Sequence, residues 1–224
     1  MNGTGTALRA SEVFLSLQGE GPSVGTPAHF VRLQGCSVGC RWCDTRYAWD
    51  AADGRDAAPA GLLEETRALG TAPLLVVTGG EPLEAPALVP LLERGLQLWE
   101  RVEVETSGLR PPPLSHPRLW WSVSPKLPQA TPRWESTWRH TAAWLAEPAA
   151  TFKLVVGDPP DDEDLLRLLG QHGIPAARVM LMPEGRTAEE LRRRATGLAD
   201  LCRRHGFRLS PRLQVCLWEG RRGA

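Results

Sequence analysis

The chain has 224 residues, 42% of them hydrophobic, with 26 Lys plus Arg balanced by 26 Asp plus Glu. That length suits one domain, residues 1–224, with a substantial core, and the balanced charge gives no electrostatic ground for a nucleic-acid or membrane partner. No apolar run reaches the length of a membrane span and the opening MNGTGTALRASE carries no apolar signal region, so a cytoplasmic protein is expected.

Taken in chain order, the pattern is strand followed by helix. SEVFLSL (11–17) and AHFVRLQG (28–35) alternate as strands, with Gly19, Gly21, Pro22 and Gly25 in the turn between them. Residues 60–70 predict a helix ending at Gly70, and PLLVVTGG (73–80) a buried strand stopped by two glycines. A partly helical segment (87–99) precedes the strands RVEVETSG (101–108) and RLWWSVSPK (118–126). One helix is predicted over 136–147 with Ser136 as its N-cap, then the strand TFKLVVGD (151–158). Residues 159–173 predict a helix with an acidic first turn, suited to the helix dipole. The strand RVMLMPEG (178–185) leads to a long helix (187–206), opened by Thr187 and Glu190 as a capping box, and LQVCLW in the tail predicts a last strand.

Strands alternating with helices imply an α/β fold with a mainly parallel sheet. About six such strands would wrap a partial, incomplete TIM-like barrel. The unusual residues then fall at one place: the cysteines after AHFVRLQG, GGEP after LLVVT, Glu105 to Gly108 after RVEV, Ser124 to Lys126 after LWWSV, and Met182 to Gly185 after RVML. All are C-terminal strand ends, which share one rim in a parallel barrel, and barrel active sites form on that rim. Only two of the basic residues are lysines, Lys126 and Lys153. Abundant Arg, Ala, Gly and Pro fit a GC-rich genome, and a lysine kept against that drift points to a need for an ammonium group. Lys153 lies inside an apolar strand, which is costly unless the charge is paired or faces a cavity.

CSVGCRWC (36–43) places Cys36, Cys40 and Cys43 in a C-x3-C-x2-C spacing. Three thiolates leave two readings open. A structural zinc ion needs a fourth ligand, for which His29 is near in sequence; an iron–sulfur cluster held by three thiolates keeps one iron open. Cys202 and Cys216 lie far off and are expected to be buried thiols. The nine tryptophans are expected mainly in the core, with Trp120, Trp121, Trp134, Trp138 and Trp144 as a hydrophobic side or dimer patch.

The cysteine spacing, with the aromatic Trp42 before its last thiol and GGEP (79–82) after the next strand, resembles the radical S-adenosylmethionine (SAM) enzymes. Within that superfamily, LSLQGEGPSVGTPAHFVRLQGCSVGCRWCDT (15–45) is similar to the 7-carboxy-7-deazaguanine synthases, with TGGEPL, VEVETSG, SVSPK, FKLVV and LMPEG continuing the similarity along nearly the whole chain. The resemblance implies a radical SAM fold in which Cys36, Cys40 and Cys43 hold a [4Fe-4S] cluster whose open iron binds SAM, giving a 5′-deoxyadenosyl radical on reduction. It further implies a carbon–nitrogen lyase that contracts 6-carboxy-5,6,7,8-tetrahydropterin to 7-carboxy-7-deazaguanine with loss of ammonia, on the route to queuosine.

Carried over by position, the resemblance assigns Leu17, Gln18, Gly19, Glu20, Arg32 and Thr78 to the substrate, and Thr45 to a Mg2+ ion. It assigns Trp42, Cys43, Asp44, Gly80, Glu105, Ser124, Pro125 and Lys126 to SAM. Gly79 and Gly80 are expected to let the backbone approach the SAM amine, and Arg32 to grip the substrate carboxylate. The expected partners are the small-molecule pterin, a reductant protein such as flavodoxin or ferredoxin, and a second copy in a homodimer. Two alternatives differ in class: a glycyl-radical-enzyme activase and a non-enzymatic zinc-binding module. Cys216 stands where many family members have a histidine, and residues 46–59 match nothing assignable.

Overall fold

The computed structural model describes residues 7–157 and 162–223. Two strands, β1 (Leu8–Leu17) and β2 (Pro27–Leu33), form an antiparallel hairpin, and the short β3 (Arg55–Ala57) pairs with the outer side of β1. Helix α1 (Pro59–Arg67), strand β4 (Leu74–Gly79), helix α2 (Leu88–Leu98) and strands β5 (Arg101–Thr106) and β6 (Leu119–Val123) follow. Then come α3 (Trp134–Trp138), α4 (Thr141–Ala146), β7 (Ala150–Val156), α5 (Asp162–Gln171), β8 (Val179–Pro183), α6 (Ala188–His205), β9 (Arg208–Leu209) and α7 (Leu213–Trp218). The sheet runs β3-β1-β2-β4-β5-β6-β7-β8-β9 and stays open at both edges. From β2 through β9 in that order every pairing is parallel, giving the incomplete barrel expected from the alternation.

Side chains alternate across a strand, and here the two faces are chemically different. Val31, Leu33, Leu75, Val77, Val102, Val104, Trp121, Val123, Phe152, Leu154, Val156 and Leu181 pack on one face into a core shared with Leu62 of α1, Leu91 of α2, Leu165 of α5 and Leu198 of α6. The intervening positions turn the other way. They are Phe30 and Arg32, Thr78, Glu103 and Glu105, Ser122, Lys153 and Val155, and Met180 and Met182. Phe14, Ala28, Phe30, Leu74 and Val76 form a small second apolar cluster there, with the Phe14 and Phe30 rings stacked at 4.6 Å.

Four local expectations change. The helix predicted over 136–147 is two short helices, α3 and α4. Thr137 and Thr141 donate their hydroxyls to the carbonyls of Trp134 and Trp138 (both 2.6 Å), a local competition with the helical ladder. Ser136 is inside α3 and donates to Arg133 O rather than capping. LQVCLW is the helix α7, not a strand, and ends at Glu219 in the left-handed conformation (φ 54°). The tryptophans make no single patch: Trp121, Trp138 and Trp144 are core residues, and Trp120 lies under the Arg101 guanidinium. The Thr187/Glu190 capping box is present. The start of the acidic helix at 159–161 lies outside the described residues. Among the described residues no helix is long and apolar enough to cross a membrane.

Candidate active site

A cavity of about 690 Å³ opens at the C-terminal strand ends, within the size range of small-molecule sites. Its wall contains Leu17, Gln18, Gly19, Glu20, Arg32, Cys36, Cys40, Trp42, Cys43, Asp44, Thr45, Thr78, Gly80, Glu105, Ser124 and Lys126. Of the positions that the resemblance assigns to cluster, SAM, Mg2+ or substrate, Pro125 alone is absent from that wall; it is buried.

The cysteine loop is fastened to the sheet by its backbone. Gly35 N donates to Ala48 O (2.9 Å), Cys36 N to Trp49 O (3.0 Å) and Glu81 N to Gly35 O (2.8 Å). Thr131 Oγ1 donates to Val38 O (2.7 Å) and Arg41 N to Ala130 O (2.8 Å), which ties the loop to the segment after β6. This packing also explains the double glycine. A Cβ at Gly80 would lie 2.0 Å from Gly35 O, and one at Gly79 (φ +142°) 2.3 Å from Leu33 O. The glycines are therefore required by the close approach of two protein strands, before any cofactor is considered.

Glu81 of the same GGEP stretch is buried and does not point to a ligand. Its carboxylate accepts Leu83 N (3.1 Å), Ser107 N (2.8 Å) and the Thr106 and Ser107 hydroxyls, latching the glycine turn to the end of β5.

The three cysteines are free and half-buried on this loop. Burial pushes the Cys36 and Cys40 thiols up; the Lys126 ammonium opposes that rise at Cys40. Trp49 Nε1 donates to Cys43 Sγ (3.3 Å), and Thr45 Oγ1 lies 3.5 Å from the same sulfur. Among the described residues no three His, Cys, Asp or Glu side chains converge closely enough to hold one metal ion. Three thiols spread along one cavity wall fit a cluster, in which each thiolate takes a different iron. His29 does not supply a fourth zinc ligand: it is buried on the helix side of β2, where its Nδ1 accepts Trp99 Nε1 (2.9 Å). The Cys3His alternative is overturned on that geometry.

Deeper in the cavity the charges interlock. Glu20 accepts from Lys153 and from Gln214 Nε2 (2.7 Å), and Arg212 Nε stands 3.7 Å away. Burial alone would raise the Glu20 carboxyl, but the Lys153 and Arg212 cations hold it well below the ordinary range. Lys153 Nζ also lies 3.9 Å from Glu105. Burial would lower this ammonium, but Glu20 and Glu105 raise it above the usual lysine value. Glu105 in turn accepts Thr78 Oγ1 (2.8 Å) and Gln18 Nε2 (3.1 Å). Beneath them Glu103 is fully buried. It accepts from Ser23 and from Gln18 Nε2 (3.3 Å), and burial first, then the Glu105 charge, pushes it up to about 7.

Arg32 is neither free nor in a surface pair. Its Nε donates to Glu12 (2.8 Å), and both side chains are only 15% exposed. Glu12 also accepts Tyr47 Oη (2.8 Å) and Arg222 Nε (2.7 Å). Asp44 is bonded to Arg212, whose Nη1 donates to Gly185 O (2.6 Å), so the cysteine loop, the β1–β2 turn and the C-terminal segment meet at one guanidinium. Thr45 occupies the N-cap position of the 3-10 turn Arg46–Ala48 without making a capping bond, leaving its hydroxyl beside Cys43 on the cavity wall.

Sequence reasoning missed Glu12, Arg212 and Gln214, and left Lys153 without a role. Gln214 packs so tightly that a Cβ at Gly19 would lie 1.8 Å from its Oε1. Glu12 faces Arg32 across the β1–β2 hairpin; no local signal marks Arg212 and Gln214, which the return of the chain to the β1–β2 turn brings in. Cys202 is buried as expected, but Cys216 is exposed on α7 and lies off the cavity wall, because α7 is a helix whose buried residue is Val215.

The chain is 39% identical to the 7-carboxy-7-deazaguanine synthase of Pyrobaculum aerophilum over 220 residues, covering 96% of this chain and 97% of the relative. The chain belongs to the 7-carboxy-7-deazaguanine synthase family. The synthase of Hyperthermus butylicus is 38% identical over 225 residues, with 94% and 92% covered. The crystal structure of QueE from Escherichia coli superposes with a TM-score of 0.67 at 28% identity, over 92% of this chain and 94% of that one. A structure of TYW1 with a lysine-pyruvate adduct bound shares the fold at a TM-score of 0.56 and 12% identity. No protein-family profile matches the chain. As a member of the synthase family the chain is an enzyme of the radical SAM type, and these relatives favour neither the activase nor the zinc module.

Proposed function

We propose that this chain is a carbon–nitrogen lyase that converts 6-carboxy-5,6,7,8-tetrahydropterin into 7-carboxy-7-deazaguanine. The observation that carries the reading is the meeting, in one cavity, of three free thiols on the cysteine loop with an arginine and a carboxylate suited to the two ends of that substrate. When bound, a [4Fe-4S] cluster and SAM supply reversible hydrogen-atom abstraction.

The chain's own residues do the rest by position. Arg32, oriented through its Nε by Glu12, keeps its terminal nitrogens for the substrate carboxylate. Glu20, held ionised, is an acceptor-only group for the N–H edge of the aminopyrimidine ring. Gln18, Thr78 and Glu105 form a hydrogen-bonded ridge between those two ends, and Leu17 and Gly19 complete the ring's wall. Cys36, Cys40 and Cys43 would ligate the cluster. Trp42, Cys43, Asp44, Gly80, Glu105, Ser124, Pro125 and Lys126 would surround SAM; Lys126 Nζ donates to Ser124 Oγ (3.1 Å), which fixes that edge. Thr45, uncommitted to a cap, would offer a hard oxygen to Mg2+. The same reading makes the protein a one-domain cytoplasmic homodimer reduced by a flavodoxin or ferredoxin.

The test is anaerobic reconstitution of the cluster, followed by incubation with SAM, reductant, Mg2+ and the carboxytetrahydropterin. Formation of 7-carboxy-7-deazaguanine is expected, and its absence from a brown, iron- and sulfide-loaded protein rejects the assignment. Thr45→Ala is expected to weaken the response to added Mg2+ more than SAM binding; an unchanged Mg2+ response removes Thr45 from the metal.

A further inference from the structure

Lys153 is a costly residue with no role in the reading above. It is 4% exposed, between Phe152 and Leu154, which are fully buried on the opposite face of β7. A buried ammonium is tolerated only when paired, and Lys153 is paired twice. It donates to Glu20 from the β1–β2 turn and stands 3.9 Å from Glu105 at the end of β5. Both carboxylates and Lys153 itself face the cavity.

The two carboxylates are not supported alike. Glu105 has two neutral donors of its own, Thr78 and Gln18. Glu20 has one neutral donor, Gln214, and its other cation, Arg212, stands farther off at 3.7 Å and is already bonded to Asp44 and Gly185 O. Glu20 therefore depends on Lys153 in a way that Glu105 does not.

We propose that Lys153 is a positioning residue for the substrate-binding carboxylate: its ammonium keeps Glu20 ionised and aimed into the cavity, so that Glu20 accepts the N–H donors of the aminopyrimidine ring. This rests on the reading of the cavity as a pterin site. A protonated Glu20 would carry a donor of its own against those N–H groups, and the low exposure of the site gives water little chance to screen the clash.

The charged groups facing the pair are Glu103 and Glu105 from β5, and Arg212 with its partners Asp44 and Glu184 from the surrounding loops. With Lys153 neutralised, three carboxylates, Glu20, Glu103 and Glu105, remain around one distant guanidinium. Burial and mutual repulsion then raise Glu20. Substrate affinity of the variant must fall as pH falls, because Glu20 takes up a proton that it refuses in the parent.

The experiment uses the reconstituted holoenzyme and its Lys153→Met variant. Dissociation constants for 6-carboxytetrahydropterin and for SAM are measured by calorimetry, with KM and kcat alongside, from about pH 6 to 8.5, where an unshifted carboxylate no longer titrates. Every protein compared carries Glu103→Gln, which removes the group that titrates at about 7. The variant-to-parent ratio cancels the substrate's own titration. At pH 7 we expect pterin affinity to fall about 10- to 100-fold, the scale of a hydrogen bond to a charged group. The loss should grow toward pH 6 and shrink toward pH 8.5, with the change in SAM affinity smaller than about 3-fold. Lys153→Gln keeps a hydrogen bond to Glu20 without the charge and should give the same profile should Lys153→Met not fold. In a Glu20→Gln background, Lys153→Met should add no further loss and no pH slope.

A variant with the parent's pterin affinity, a flat ratio across pH, or equal losses of SAM and pterin affinity overturns the proposal and makes Lys153 a strut. A parent that binds no pterin overturns the functional reading, and the proposal with it.

Discussion

The two faces of the same strands obey different physics. In β7, Phe152, Leu154 and Val156 enter the helix-covered core while Lys153 and Val155 face the cavity. In β5, Val102 and Val104 enter that core while Glu103 and Glu105 turn inward. On the helix side, burial removes apolar area from water and stabilises by roughly 25 cal/mol per Å². On the cavity side, burial opposes charge: Lys153 is retained beside Glu20 and Glu105, while Glu103, with only neutral donors, is pushed toward its protonated form. The contrast shows that one sheet can be stable on one face and reactive on the other, with a period of two residues separating the roles.

Breaking the apolar side should cost the most stability. Leu154→Ala removes a fully buried side chain and should cost about 2–5 kcal/mol, lowering Tm by roughly 5–15 °C in a chain of this size. The folded fraction should keep its specific activity. Thermal unfolding alongside assays per mole of cluster checks both halves.

Cys40→Ala is the converse. It should abolish cluster assembly and turnover and shift Tm of the apoprotein by no more than about 2 °C, since a half-buried loop thiol contributes little packing. Iron and sulfide analysis with apoprotein melting tests it; a fully active variant would remove Cys40 from the cluster.

The smallest effect lies beneath the site, at Glu103. Its folded-state pKa of about 7 lies above the ordinary value of 4.5. The folded protein therefore holds this proton more tightly than the unfolded chain does. Stability from this group is fully present below the unfolded value and is lost as pH rises through about 7. Glu103→Gln mimics the protonated form, so the variant should match the parent near pH 4 and exceed it near pH 8 by at most about 3 kcal/mol. Paired melting curves across that range check it; a Tm difference independent of pH would mean that Glu103 stays ionised in the fold.

Much of this was legible because periodicity and punctuation are local. The strand–helix alternation, the residues at the C-terminal strand ends and the capping box of α6 all follow from neighbours in sequence. The short β3, made of Arg55, Asp56 and Ala57, was not legible, since only pairing with β1 makes it a strand. Nor was the break between α3 and α4, where threonine hydroxyls bond carbonyls that a continuous helix would use. Glu81 is the sharpest case within the site. GGEP places it at the rim, but its role there is structural, because its carboxylate is spent on Leu83, Thr106 and Ser107.

By itself, then, the sequence determined the α/β class, the shared rim and the identity of the groups set on it, because those depend on residue type and spacing along one chain. Only the tertiary structure decided which charges meet. Glu20 finds Lys153 across 133 positions and Gln214 across 194, and Asp44 finds Arg212 across 168. Such pairings depend on where the open barrel and the returning C-terminal segment place their side chains, and on the low exposure that makes an unpaired charge there too costly to keep.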